Sequence, residues 1–308
     1  MSQAYFCLSI DLELLWGRHD LNYQPFIHPS ARERPIIVEL LKLFKQFEIP
    51  ATWASVGHLF LANCNPHQGI KHPEITLPNN SFSWFSNDPS TSLNRDPLWY
   101  GKDIIRILRD SPGQEIGCHS FSHPDFTDSK MTREWAESEL IACLKLAQEN
   151  KIELKSFVYP RNRIRFTELL FKYGFSAYRG SDPQEPKIPS FLLNIWQLID
   201  LLLCIPHTTH ALPEKQILNL PASMYFPSQR GLKKYIPAGL RLKKAIRSID
   251  QAIEKGEIFH MWFHPIDIMS DSDNLLKELK SILEYASNKA ASGQLRIRNM
   301  SQIAEEMA

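Results

Sequence analysis

Short apolar runs alternate with amphipathic stretches along this chain, and that alternation constrains the fold more than any single motif does. Residues 5–10, 51–56, 115–118, 155–159, 175–178, 217–222 and 257–263 read as buried strands. Between them, apolar side chains return at helical spacing. Ile36, Ile37, Leu40, Leu41, Phe44 and Phe47 follow Pro35; Leu140, Cys143, Leu144 and Ala147 share one face; and Leu275, Leu276, Leu279, Ile282, Leu283 and Ala286 form another stripe. Strand and helix alternate about seven times, which requires crossover connections and so a parallel sheet, and this many units favours a closed barrel. A last short strand is expected near residues 295–298. No repeat or linker divides the chain, so residues 1–308 read as one domain. Its one irregular stretch, residues 61–100, is rich in Asn, Pro and Ser and reads as a loop insertion.

Composition narrows the function classes. A formal net charge of +1 argues against nucleic acid as a partner. The most apolar segment, residues 191–205, is interrupted by Asn194, Gln197 and Asp200, and is too short and too polar for a transmembrane span. Cys7, Cys64, Cys118, Cys143 and Cys204 form no C-x-x-C pair and leave one odd, as expected of reduced thiols. The amino terminus has no basic region ahead of its first strand, and a cytoplasmic location is the expectation.

Active sites of α/β sheets lie at the carboxyl ends of strands, and several chemically capable residues fall there. The run at Glu115 leads into His119 and His123, whose spacing lets two imidazoles reach one cation from a helical turn or a tight loop. Asp11 and Glu13 share one side of the first strand by its period of two. Together they could supply one carboxylate ligand and one base; alternatively they cap the following loop or pair with Arg18. His264 closes the strand that carries His260 and Trp262 on the same face, and could protonate a leaving amine. Blander readings suit other residues. Trp84, Phe85, Trp99 and Tyr100 are expected to pack within their own loop, although they could stack on sugar rings. Lys233, Lys234, Arg241, Lys243, Lys244 and Arg247 are expected on a solvated face, and His207 and His210 at the surface.

Taken together, these residues resemble the NodB-homology polysaccharide deacetylases, carbohydrate esterase family 4, over nearly the whole chain. Ser9-Ile-Asp-Leu-Glu13 is similar to the family's first motif and Pro50-Ala-Thr-Trp-Ala-Ser-Val-Gly-His58 to its second-strand signature. His119-Ser-Phe-Ser-His123 resembles its metal-binding histidine motif, Phe157-Val-Tyr-Pro-Arg-Asn162 its third motif, and Trp262-Phe-His264 its closing Leu-x-His. The resemblance implies a distorted (β/α)7 barrel, a divalent metal, often zinc, and hydrolysis of acetyl groups on sugars. By the match to the family's Asp-x-Asp variants, Asp11 is the base, Glu13, His119 and His123 are the metal ligands, and His264 is the acid. The arginine usual in the third motif is replaced by Val158, leaving Arg161 or Arg163 to substitute, and Trp262 stands where a leucine lines the acetyl pocket. Arg161 and Trp262 are thus the candidate substrate-binding residues. The expectation is a metal-dependent deacetylase acting on an N-acetylated sugar. The rivals are an allantoinase-like hydrolase of another carbon–nitrogen bond and a catalytically silent sugar-binding barrel.

Overall fold

The computed structural model describes residues 3–308 apart from 68–69, 79–82, 185, 187, 189, 215, 230–233, 235 and 238, with the side chains of 190–194 and 197 also left aside. Lys233 therefore lies outside the described residues. In chain order the strands are β1 (Tyr5–Leu12), β2 (Thr52–Ser55), β3 (Glu115–Cys118), β4 (Ser156–Val158), β5 (Ala177–Arg179), β6 (Leu212–Glu214), β7 (Ile217–Asn219), β8 (Met224–Tyr225), β9 (Ile258–Phe263) and β10 (Arg296–Ile297). They form one ten-stranded sheet in the order β6-β7-β5-β4-β3-β2-β1-β9-β8, with β10 also pairing to β1. All pairings are parallel except the β6–β7 hairpin, as crossover helices require.

The sheet curls, and one segment spans its two edges. Residues 217–219 pair with β5, and the Ala222 N–H still donates to the Gly180 carbonyl at 3.0 Å. A few residues on, the Ser223 N–H donates to the His260 carbonyl at 2.9 Å, and 224–225 pair with β9. Pro221, with no N–H to give a ladder, sits at the changeover. Counted with β1 to β5 and β9, this bent segment makes the seventh strand of a distorted α/β barrel. The strand expected at 217–222 thus ends at Asn219, and a second short strand follows beyond it at Met224–Tyr225, because the hydrogen bonds pass from one neighbour to the other.

β1 lies centrally, between β2 and β9, and all eight of its residues are buried, as befits a parallel strand covered on both faces. Helices Glu33–Gln46, Arg133–Glu149, Leu240–Lys255 and Ser272–Ala291 pack apolar stripes against the sheet. In the last of these Leu275, Leu279, Ile282, Leu283 and Ala286 are all buried, and each of the larger side chains contributes about 1.5–3 kcal/mol by leaving water. Between Phe60 and Lys102 the described residues form no helix or strand, only isolated bridges such as Asn63 to Ser92. No helix among the described residues is long and apolar enough to cross a membrane.

Candidate active site

Parallel register decides which side chains meet at the barrel rim. Ile10 pairs with Phe263, so the next residues, Asp11 and His264, emerge side by side from β1 and β9. Leu12 pairs with Ser55 and Ser55 with Cys118, which brings Glu13 and His119 to the same rim. Glu13 Oε1 then lies 3.2 Å from His119 Nε2, 3.1 Å from His123 Nε2 and 3.4 Å from His264 Nε2. Gly17 leaves the space this carboxylate needs, since a Cβ there would fall 1.7 Å from Glu13 Oε2.

The two histidines of the His-x3-His motif converge through a tight loop, with Ser120 and His123 at φ +58° and +61°. That conformation costs a side-chain-bearing residue roughly 1–2 kcal/mol, and hydrogen bonds offset it. The His123 N–H donates to Ser120 Oγ at 3.0 Å, while the Ser122 N–H and O–H both donate to buried Glu139, at 2.7 and 2.6 Å. Trp135 Nε1 also donates to Glu139, at 3.1 Å. His119 Nδ1–H donates to the Val158 carbonyl at 2.8 Å, so its Nε2 lone pair faces Glu13. His123 Nε2 is buried close to Glu13 yet has no hydrogen-bond partner among the described residues. An orphaned imidazole nitrogen, an oriented one and a carboxylate gathered about one point suit a divalent ion bound by three protein ligands with a coordination position open. Burial lowers His123 below the usual imidazole range, which favours its neutral, ligating form.

Asp11 is held by an arginine, but not by the one expected. Arg179, the last residue of β5, grips it with two parallel bonds, Nη1 to Oδ1 and Nη2 to Oδ2, each 2.7 Å. The guanidinium is 1% exposed, donates further to Ser9 Oγ and Asn162 Oδ1 at 3.0 Å each, and lies 4.3 Å over the Trp262 ring. Arg161 is turned away: its backbone is left-handed at φ +57°, and its Nη2 bonds both oxygens of Asp20 at 2.7 Å. The substitution of Arg161 or Arg163 for the missing arginine is therefore corrected to Arg179. Tyr178 gives its O–H to Glu214 at 2.6 Å while the next residue, Arg179, reaches Asp11, and an arginine closing a short buried strand was the available signal. Burial by itself raises Asp11, but Arg179, together with the neighbouring histidines, outweighs it and the carboxyl lies below its ordinary range.

His264 faces the same point from the other side. Its Nδ1–H and its backbone N–H both donate to Asp267 Oδ2, at 2.9 and 3.1 Å, leaving Nε2 3.8 Å from Asp11 Oδ2. Against the effect of burial, the carboxylates of Glu13 and Asp267 raise His264 well above the usual imidazole range, which favours its protonated form.

His264 and Trp262 form part of the wall of a cavity of about 610 Å³, which Arg161, Asn162, Arg163, Tyr225 and Trp196 also line. Its far wall corrects two expectations. His207 is buried, between Asp182 at 3.1 Å and Asp200 at 3.0 Å, and Lys244, also buried, pairs with Asp200. Arg241 is fully buried as well, its Nε donating to the Pro227 carbonyl at 3.0 Å. Helix Leu240–Lys255 thus turns part of its basic face inward, because buried acids and carbonyls receive it, whereas His210 is exposed as expected. Phe85, Trp99 and Tyr100 are buried within the 61–100 segment, and half-buried Trp84 donates its Nε1–H to Ser122 Oγ at 2.8 Å.

No family model matches the chain, and no curated protein matches it in sequence. Solved structures do match it in fold. A Mycobacterium smegmatis protein assigned to the polysaccharide deacetylases is 13% identical over 99% of this chain and 90% of its own, with a TM-score of 0.64. The PuuE allantoinase is 14% identical over 98% and 89%, with a TM-score of 0.63. A Pseudomonas aeruginosa protein likewise assigned to the polysaccharide deacetylases is 13% identical over 98% and 89%, at 0.62. The curled, mostly parallel sheet is therefore the fold of the polysaccharide deacetylases and of this allantoinase.

Proposed function

We propose that the protein is a metal-dependent hydrolase that removes the acetyl group from an N-acetylated sugar. The observation that carries this reading is the convergence of Glu13, His119 and His123 beside an arginine-held Asp11 and a carboxylate-oriented His264, at the wall of a cavity of sugar size. Glu13, His119 and His123 would hold one divalent ion, zinc by their donor set, which when bound polarises the acyl carbonyl and lowers the pKa of a water. Asp11, ionised and fixed by Arg179, would act as the base that accepts a proton from the attacking water. His264, oriented by Asp267, donates a proton to the departing amine. Trp262, Trp196 and Tyr225 offer ring faces for a sugar, and Arg161, Asn162 and Arg163 offer donors for its hydroxyls.

The test is an acetate-release screen over nucleotide-linked and free N-acetyl sugars, with chelator-treated and zinc-restored protein side by side. Metal-dependent acetate release supports the reading. Ammonia or urea-type products would move it to the allantoinase-like class, and binding without turnover to a silent sugar-binding barrel. For the acid, His264→Ala is expected to lose on the order of 10²- to 10⁴-fold in turnover while keeping its metal. Loss of the metal instead would make His264 a ligand.

A further inference from the structure

A second group of metal-ligating side chains lies outside this site. His58 follows β2 in the short turn Gly57–Phe60, and Cys64, His72 and Asp88 come from the irregular segment after it. One donor atom from each lies within 4.8 Å of all the others. Tetrahedral zinc, with bonds of about 2.0–2.3 Å, sets donor atoms about 3.3–3.8 Å apart, so the four side chains need close by no more than roughly 1 Å. His72 Nε2 is already 2.7 Å from Asp88 Oδ2, and Cys64 Sγ is 3.6 Å from the same oxygen.

The surroundings orient three of these donors toward one another. His58 Nδ1–H donates to the Trp99 carbonyl at 3.1 Å, which leaves the Nε2 lone pair facing the cluster. That nitrogen is fully buried, 3.9 Å from Asp88 Oδ2, and has no hydrogen-bond partner among the described residues. Tyr100 hydroxyl accepts the Thr91 N–H at 2.8 Å and stands 3.0 Å from Cys64 Sγ, placed to donate to a thiolate. The Ser90 N–H donates to Asp88 Oδ1 at 2.9 Å and fixes the carboxylate.

We propose that His58, Cys64, His72 and Asp88 form a second, structural centre for a thiophilic divalent cation, zinc by preference. Four protein donors including one thiolate and two imidazoles select zinc over magnesium or calcium, and leave no position for substrate. None of the four lines the 610 Å³ cavity. The centre's work is to hold the segment between Phe60 and Lys102, which has no regular element among its described residues to offset its conformational entropy. It also braces the loop of His119 and His123. The Gly57 N–H donates to the Ser120 carbonyl at 2.8 Å and the His58 N–H to the Phe121 carbonyl at 3.0 Å, so the turn that bears a ligand of this centre also carries that loop.

The proposal stands independently of the proposed deacetylase activity, and the thiolate provides a readout that the first site lacks. Cobalt-loaded protein should show a thiolate-to-cobalt charge-transfer band that survives in His123→Ala and disappears in Cys64→Ser. Zinc analysis should find two equivalents per chain, falling to one in either variant. Should Cys64→Ser fail to fold, the wild-type chain answers alone. Cys64 is the one cysteine of the five that is not buried, and zinc should slow its alkylation by roughly tenfold or more relative to chelator-treated protein. Absence of the charge-transfer band from cobalt-loaded wild-type protein, or alkylation of Cys64 at the same rate with and without zinc, overturns the proposal.

Discussion

Replacing Arg179 with methionine is expected to cost about 3–5 kcal/mol of folding stability, because it strands a carboxylate inside the barrel. Asp11 is 3% exposed, and Arg179 supplies its two shortest hydrogen bonds. Without the guanidinium, burial is opposed only by the neighbouring histidines, so the pKa of Asp11 rises, the ionised base is less favoured and turnover falls with it. Arg179→Met combined with Asp11→Asn removes both charges and should recover much of the stability while staying inactive, a non-additivity that denaturant unfolding of the four proteins measures. The pH dependence has a definite sign. A carboxyl depressed in the folded state contributes stability above its unfolded pKa of about 3.9 and loses it as pH falls through the folded value. The stability gap between wild type and the double variant should therefore be widest near neutrality and narrow in acid. A single Arg179→Met variant as stable as wild type would show that Asp11 is not held as an ion.

Asp11→Asn and Glu13→Gln are expected to fail in different ways, although their carboxylates sit two residues apart on one strand and its exit. Asp11 also gathers with Glu13 and His264, one donor atom of each within 4.8 Å of the others, but both of its oxygens already accept from Arg179, which competes with a cation for them. Glu13 has three imidazole nitrogens within 3.4 Å, and Gly17 reserves space for it. Asp11→Asn should keep its metal and lose on the order of 10²- to 10⁴-fold in turnover, as loss of a proton acceptor does. Glu13→Gln should lose metal affinity first, with activity recovering in part at high metal concentration. Metal titration of the two purified variants separates the outcomes, and the opposite pattern would exchange their roles.

Local chemistry determined much of this protein. Apolar runs and helical stripes repeat within short windows, so the parallel barrel and the placement of Asp11, Glu13, His119 and His264 at strand ends were legible from the chain alone. What spacing cannot report is which strand end faces which across a barrel. Arg179 is 168 positions from Asp11, and only the curling of β5 toward β1 makes it, rather than Arg161, the partner. The interior positions of His207, Arg241 and Lys244 were hidden for a related reason, since a charged side chain is buried only where a partner from another element meets it. The grouping of His58, Cys64, His72 and Asp88 had no sequence signature at all. Its members lie at irregular intervals along a segment without periodicity, and only the path of that segment over the barrel rim gathers them.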